Sequence, residues 1–174
     1  MSSVGHLLVG AAAGRYALPR WSGPRRVAFA VLLIGISIAP DLDLAVLPAL
    51  GVPDSLTLGH RCATHSLAVA LGVVLIVTLL AIAVRLPARP VAIGAFLSIG
   101  SHALFDSLTP GPGVAWLWPF SAARFPTLPI LPMAPLGHLL SAGGLLLLAA
   151  ELVVFSPFAV YAFRRAEWRR RSGL

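Results

Sequence analysis

The hydrophobic positions of this chain form long blocks, and its ionisable residues gather at the edges of those blocks. The stretch HRCATHSLAVALGVVLIVTLLAIAV, opening at His60, shows both features: two histidines, an arginine and a cysteine, then uninterrupted hydrocarbon. A helix needs about 20 mostly apolar residues to cross the hydrocarbon core of a bilayer. Three blocks meet that length, roughly 26–48, 64–85 and 91–109, and a fourth, roughly 136–163, is long enough to cross with tilt. The block at 3–18 is shorter and interrupted by glycines, which reads as a half-span or re-entrant helix. LPRWSGPRR at 18–26 is a Pro/Gly turn leading into the first full span. Residues 109–135 form the one long irregular segment. Its prolines exclude a continuous helix, and Trp116, Trp118 and Phe120 suit the membrane interface. The expected fold class is therefore all-α: a polytopic membrane helical bundle with four transmembrane helices plus a short N-terminal half-span helix, one membrane-embedded domain across 1–174.

Composition agrees with the pattern. The 174 residues are 58% hydrophobic and only 11% charged, with a mean hydropathy of +0.91, whereas soluble domains carry about 25% charged residues. The N-terminus lacks the basic region of a cleaved secretion signal. One cysteine, Cys62, excludes an internal disulfide. All 13 basic residues counted in the net charge of +7 are arginines, and they settle an orientation. Arg15, Arg20, Arg25, Arg26, Arg85, Arg89, Arg164, Arg165, Arg169, Arg170 and Arg171 fall on one side of the expected spans, and Arg61 and Arg124 on the other. By the positive-inside rule the basic tail 164–174 is cytoplasmic and the loops 49–63 and 110–135 face outward. The tail reads as an orientation signal that touches anionic lipid, so the expected partner is membrane lipid and not nucleic acid.

The remaining ionisable residues share one depth. At about 1.5 Å per helical residue, Asp41 lies about 22 Å from the cytoplasmic end of its span, and His102 and Asp106 about 16 and 22 Å up theirs. His60 and His65 stand at the outward start of the next block, and His6 reaches about 21 Å if the N-terminal helix runs antiparallel to the first span. Burying a single charge at bilayer depth costs about 2.5–3.5 kcal/mol on insertion scales. Several charges in one layer need compensation, and a divalent metal provides it through neutral imidazole and carboxylate ligands. HALFD puts His102 and Asp106 at i and i+4 on one helical face. PDLD puts Asp41 and Asp43 on different sides of a helix, unless Pro40 bends the chain so that both reach the site. HRCATHS suits a loop ligand, His60, followed by a helix ligand, His65, with Thr64 or Ser66 as cap.

GH at 5–6, APDLD at 39–43, HRCATHS at 60–66 and SHALFDSLTPGPGVAWLWPFS at 101–121 together resemble the YdjM-like family, LexA-regulated inner-membrane proteins described as metal-dependent hydrolases. The resemblance covers roughly residues 1–125, and the order of the motifs carries it. It implies His6, Asp41, Asp43, His60, His65, His102 and Asp106 as the site, with Cys62 standing where a small residue is expected. The His-x-x-x-Asp element is also similar to the zinc-binding helices of bacterial phospholipase C and single-strand nucleases. Those enzymes repeat the element, whereas here Ala142 stands at the corresponding place after His138.

What the resemblance implies is a hydrolase of the bacterial inner membrane, using a divalent metal (Zn, or else Mn) held by His6, Asp41, His60, His65, His102 and Asp106. Read from the residues themselves, Asp43 can serve as general base, Arg61, next to His60, can neutralise a phosphate or developing oxyanion, and a site at the outer interface calls for an amphiphilic substrate, such as a lipid phosphoester. His138 is a further candidate for the shell; Glu151 lies too deep for the site and is a functional suspect in its own right. An ion or proton transporter and a protein with a purely structural metal remain alternatives, and the oligomeric state stays open.

Overall fold

The computed structural model describes residues 3–18, 23–52, 59–133 and 140–171. Regular structure among them is helical, apart from an isolated antiparallel bridge between Val114 and Phe125. Helices α1 (Ser3–Ala17), α2 (Pro24–Ile36), the short α3 (Asp43–Ala49), α4 (Leu67–Ala83), α5 (Ala88–Asp106) and α6 (Ala142–Arg171) follow in order, with 3-10 turns at Ala39–Leu42 and Ala63–His65.

The expected four continuous crossings are not what the described residues show. Ala88–Asp106 and Ala142–Ala162 are long and apolar enough to cross, and α2 with the Ala39–Ala49 segment adds a third span if the bent pair is counted as one. The block at 26–48 is broken by a 62° bend. Pro40 brings no N–H, and its ring disfavours helical backbone at Ala39. Around it the bonds shorten to i→i−3: Ser37 N to Ile34 O, Ile38 N to Gly35 O and Asp41 N to Ile38 O, each 3.1 Å. In the block at 64–85 the helix starts only at Leu67, because Ser66 caps it and accepts from the Val69 N–H at 3.2 Å. The resulting 17 residues span about 26 Å, a little short of a hydrocarbon core of about 30 Å. α5 starts earlier than expected, at Ala88, behind the N-cap Pro87. α6 starts at Ala142, and the expected beginning near 136, with His138, lies outside the described residues.

α1 packs against α2, α5 and α6, and small residues let it do so. A methyl group on Gly94 of α5 would stand 2.7 Å from the Ala17 Cβ and 3.1 Å from the Ala13 carbonyl oxygen. One on Gly10 of α1 would collide with the Ser37 side chain at the end of α2. Close backbone approach of this kind supplies van der Waals contact where lipid removes the hydrophobic drive. Ala17, Leu18, Phe29, Leu33, Val77, Ala81, Val91 and Ala95 form the apolar core at the end where α1 finishes and α2 begins. The arginines of the described helices lie toward that same end: Arg15, Arg25 and Arg26, and Arg85 and Arg89 at the α4–α5 connection.

Candidate metal centre

At the opposite end of the bundle the bend and the two 3-10 turns gather the histidines and aspartates. α1 delivers His6, the Ala39–Leu42 turn Asp41, the start of α3 Asp43, the segment before α4 His60 and His65, and the last turn of α5 His102 and Asp106. His6, His65, His102, Asp43 and Asp106 are buried; the side chains of Asp41 and His60 keep 18% and 23% of their exposure and form the open edge. The His6 ring stacks on His102 with centroids 3.7 Å apart, and neither of its nitrogens has a hydrogen-bond partner.

The outer hydrogen bonds decide which ring nitrogens face inward. His102 Nδ1 donates to the Ser37 carbonyl at 2.7 Å, which leaves Nε2 as the acceptor nitrogen. The Thr64 hydroxyl donates its one proton to Asp43 Oδ2 at 2.5 Å, so His65 Nδ1, 2.9 Å from Thr64 Oγ1, is the donor of that contact. His65 Nε2 is then also a bare acceptor. The two Nε2 atoms stand 3.1 Å apart, aimed at each other. Around them, Asp41 Oδ1 is 3.1 Å from His102 Nε2 and 3.7 Å from His65 Nε2. Asp106 Oδ2 is 3.3 Å from His65 Nε2 and 3.8 Å from His102 Nε2. His60 Nδ1 donates to Asp43 Oδ1 at 2.8 Å, which leaves its Nε2 as the acceptor nitrogen.

Two acceptor nitrogens cannot hydrogen-bond each other, and two carboxylates beside them add repulsion. A cation removes both problems. Bonds of about 2.0–2.1 Å meeting at tetrahedral or right angles place ligand atoms about 2.9–3.4 Å apart, close to the separations found here. Asp41, His60, His65 and Asp106 form one set able to hold an ion, and His6, Asp41 and His102 another. Without a cation a proton takes its place. Burial opposes protonation of His65, but the Asp106 and Asp41 carboxylates outweigh it and hold its pKa above the ordinary histidine value.

Arg61 braces the cluster from the outside. Its Nε is 3.3 Å from Asp106 Oδ2, one terminal nitrogen donates to the Asp106 carbonyl at 3.2 Å, and the other to Thr109 Oγ1 at 3.1 Å. The guanidinium occupies the space a side chain on Gly111 would need. The irregular segment after α5 fastens this part of the chain: Ala115 N–H donates to the Arg61 carbonyl at 3.0 Å, and Arg124 to the His60 carbonyl at 2.9 Å. Arg61 itself has a positive φ of 63°.

The seven residues singled out from the motifs thus come together with Arg61, and His138 lies outside the described residues. Cys62 is buried, belongs to neither candidate set, and its thiol pKa is pushed up by burial, which disfavours the thiolate a metal would need. Glu151 is a correction. Val9 packs with Phe155, and Ala12, Ala13 and Tyr16 share a cavity with Phe158 and Tyr161, so α1 and α6 run in parallel register. One turn back from Val9 is His6 and one turn back from Phe155 is Glu151, which places this buried carboxylate at the depth of the site. The expected greater depth was measured from His138, whereas α6 begins at Ala142. Glu151 joins neither set. Ser37 and Thr109 were missed. Ser37 acts through its backbone carbonyl, which leaves no side-chain signature.

Two cavities adjoin the cluster. One of about 250 Å³ between α4 and α5 is lined by Thr64, His65, Ala70, Gly100, Leu104 and Trp116 among others, and is almost wholly apolar. A smaller one of about 120 Å³ is lined by Asp43, Leu44, Leu47, Pro48, Val52, Gly59 and His60, on the open side.

Comparison with known proteins adds a family. The model described as YdjM inner membrane protein matches residues 1–168. The inner membrane protein YbcI of Escherichia coli (strain K12) is 36% identical over 108 residues, covering 59% of this chain and 58% of that protein, so the chain spans a little over half the length of this curated relative. No solved structure matches the chain.

Proposed function

This chain belongs to the YdjM inner membrane protein family, and from that premise we propose that it is a metal-dependent hydrolase of an amphiphilic phosphoester, working at the outer interface of the membrane. The observation that carries the reading is the pair of acceptor nitrogens of His65 and His102, 3.1 Å apart and flanked by Asp41 and Asp106. A bound divalent cation supplies Lewis acidity and brings the pKa of a coordinated water toward 7. Asp41, His60, His65 and Asp106 would hold it, and the partial exposure of Asp41 and His60 leaves one side open to water and substrate.

The surrounding residues act by positioning. Asp43 has one oxygen committed to His60 and the other to Thr64, so its role is to orient His60 directly and His65 through the hydroxyl, and not to collect a proton as general base. Arg61, with its nitrogens on Asp106 and Thr109, fixes the Asp106 carboxylate in place of binding phosphate itself. Hydrolysis then adds water across the ester: a P–O bond forms to the water oxygen, the P–O bond to the alcohol breaks, and one water proton ends on the departing alcohol. The apolar cavity against His65 suits the hydrocarbon part of the substrate, and the open edge suits its charged head. The arginine distribution supports a cytoplasmic C-terminus and an outward site.

Protein purified in detergent, loaded with Zn or Mn and offered lipid phosphoesters is expected to release phosphate or a phosphorylated head, with His102→Ala inactive. Absence of release on every lipid phosphoester with the ion bound contradicts the hydrolase. Ion-dependent uptake into liposomes would then identify a transporter, and chelator-sensitive stability alone a structural ion.

A further inference from the structure

The geometry points to a centre for two divalent cations that share Asp41, the second ion held by His6 and His102. This deepens the reading above and rests on it. The two candidate sets overlap at one residue, Asp41, and no set contains both His6 and His60. The aspartate at the end of α5 also faces both halves: Asp106 Oδ1 is 3.6 Å from His6 Nε2, while Oδ2 is 3.3 Å from His65 Nε2. Carboxylates with an oxygen for each of two neighbours are the usual bridges between paired ions.

His6 gives the independent sign of a second ligand. It is fully buried at the polar end of α1, stacked on His102, and both its nitrogens lack a hydrogen-bond partner among the described residues. A buried imidazole left in that state is destabilising, and stacking on His102 supplies no hydrogen bond to either nitrogen. His60, His65 and His102 each have their outer nitrogen engaged, by Asp43, Thr64 and the Ser37 carbonyl. Among the described histidines His6 alone has no hydrogen-bonded anchor, with Asp106 Oδ1 facing it at 3.6 Å, so an ion between them is what would hold its ring.

Two ions also set the substrate class. Three aspartates face four positive charges from two divalent cations, with Arg61 adding a fifth against Asp106. The surplus calls for an anion at the open edge, and a phosphate group bridging two cations is stabilised on both its attacking and leaving sides. A neutral carboxylic ester or an amide offers no such match.

The test is metal stoichiometry and coupling in the detergent-purified full chain, stripped with chelator and reloaded with Mn²⁺. Elemental analysis is expected to give two ions per chain, and the electron paramagnetic resonance spectrum an exchange-coupled pair. His6→Gln, of similar size, is expected to hold one ion with the six-line signal of isolated Mn²⁺. Circular dichroism of that variant separates this loss from unfolding, and the wild-type spectrum stands whatever the variant does. One ion in the wild type overturns the second site while leaving the single-ion reading intact. No ion overturns both. Two uncoupled ions, or a coupled pair that survives His6→Gln, overturn the shared-Asp41 arrangement.

Discussion

At the scale of the residue, the site is made by what stands behind each ligand. In the proposed centre the imidazoles can serve as ligands because the Ser37 carbonyl, Thr64 and Asp43 take their outer N–H groups. Loss of such a partner typically costs a metal site 10–100-fold in affinity. Asp43→Ala removes the acceptor for both His60 and Thr64, and competition titration with a chromophoric chelator is expected to show Zn affinity reduced by about 10–100-fold; unchanged affinity would refute the orienting role. Protons compete for the same nitrogens. Because the His65 pKa is raised in the metal-free protein by Asp106 and Asp41, ion affinity should fall as pH drops through that raised value and level off above it. Calorimetry in buffers of different ionisation heat should record proton release on binding near neutral pH. The members of the cluster were legible in the sequence because His and Asp are conspicuous in hydrocarbon. The orienting groups were not: a carbonyl such as that of Ser37 has no letter of its own, and Thr64 read equally well as a cap.

At the scale of the element, the bend at Pro40 is what the block of 26–48 concealed. Its apolar length reads as one crossing, yet the 62° turn is what carries Asp41 and Asp43 to the cluster on a 3-10 turn. Pro40 marked a place where the helix could bend, but not by how much; at the bend Gly10 of α1 lies close against Ser37. Similarly, the placement of Glu151 depended on where α6 begins, at Ala142 behind Ser141, whose hydroxyl accepts from the Gly144 N–H; the length of the apolar run alone does not mark that start. The cavity between α4 and α5 gives this scale its prediction. Gly100 lines it and has only the Phe96 ring within reach of an added carbon, at 3.7 Å. Gly100→Leu should fill the space, lowering turnover of a long-chain phosphoester several-fold while leaving a short-chain, water-soluble one unaffected. Equal loss on both would remove the cavity from the account.

At the scale of the whole molecule, two asymmetries coincide. Among the described residues the histidines and aspartates lie at one end of the bundle, and the arginines Arg15, Arg25, Arg26, Arg85 and Arg89 toward the other. In the proposed reading the positive-inside rule sends the site outward. Because Cys62 is buried, introduced cysteines can report the orientation. Leu128→Cys, in the exposed part of the loop after α5, should react with a membrane-impermeant maleimide on intact spheroplasts, and Arg164→Cys only after lysis. The reverse pattern would put the site on the cytoplasmic face. The helical membrane class was legible from block length alone, whereas the number of crossings was not, since a broken helix and a straight one have the same composition.

The claim beneath all of this is that the polar end of the bundle exists to hold a divalent cation. Elemental analysis of the purified chain after exposure to Zn or Mn tests it most directly, beside His65→Ala and His102→Ala variants of matched helical content. At least one tightly held ion per chain in the wild type, and a lower ion content in both variants, is the expected result. A wild type that emerges free of metal, or variants that retain the full wild-type ion content, would contradict it.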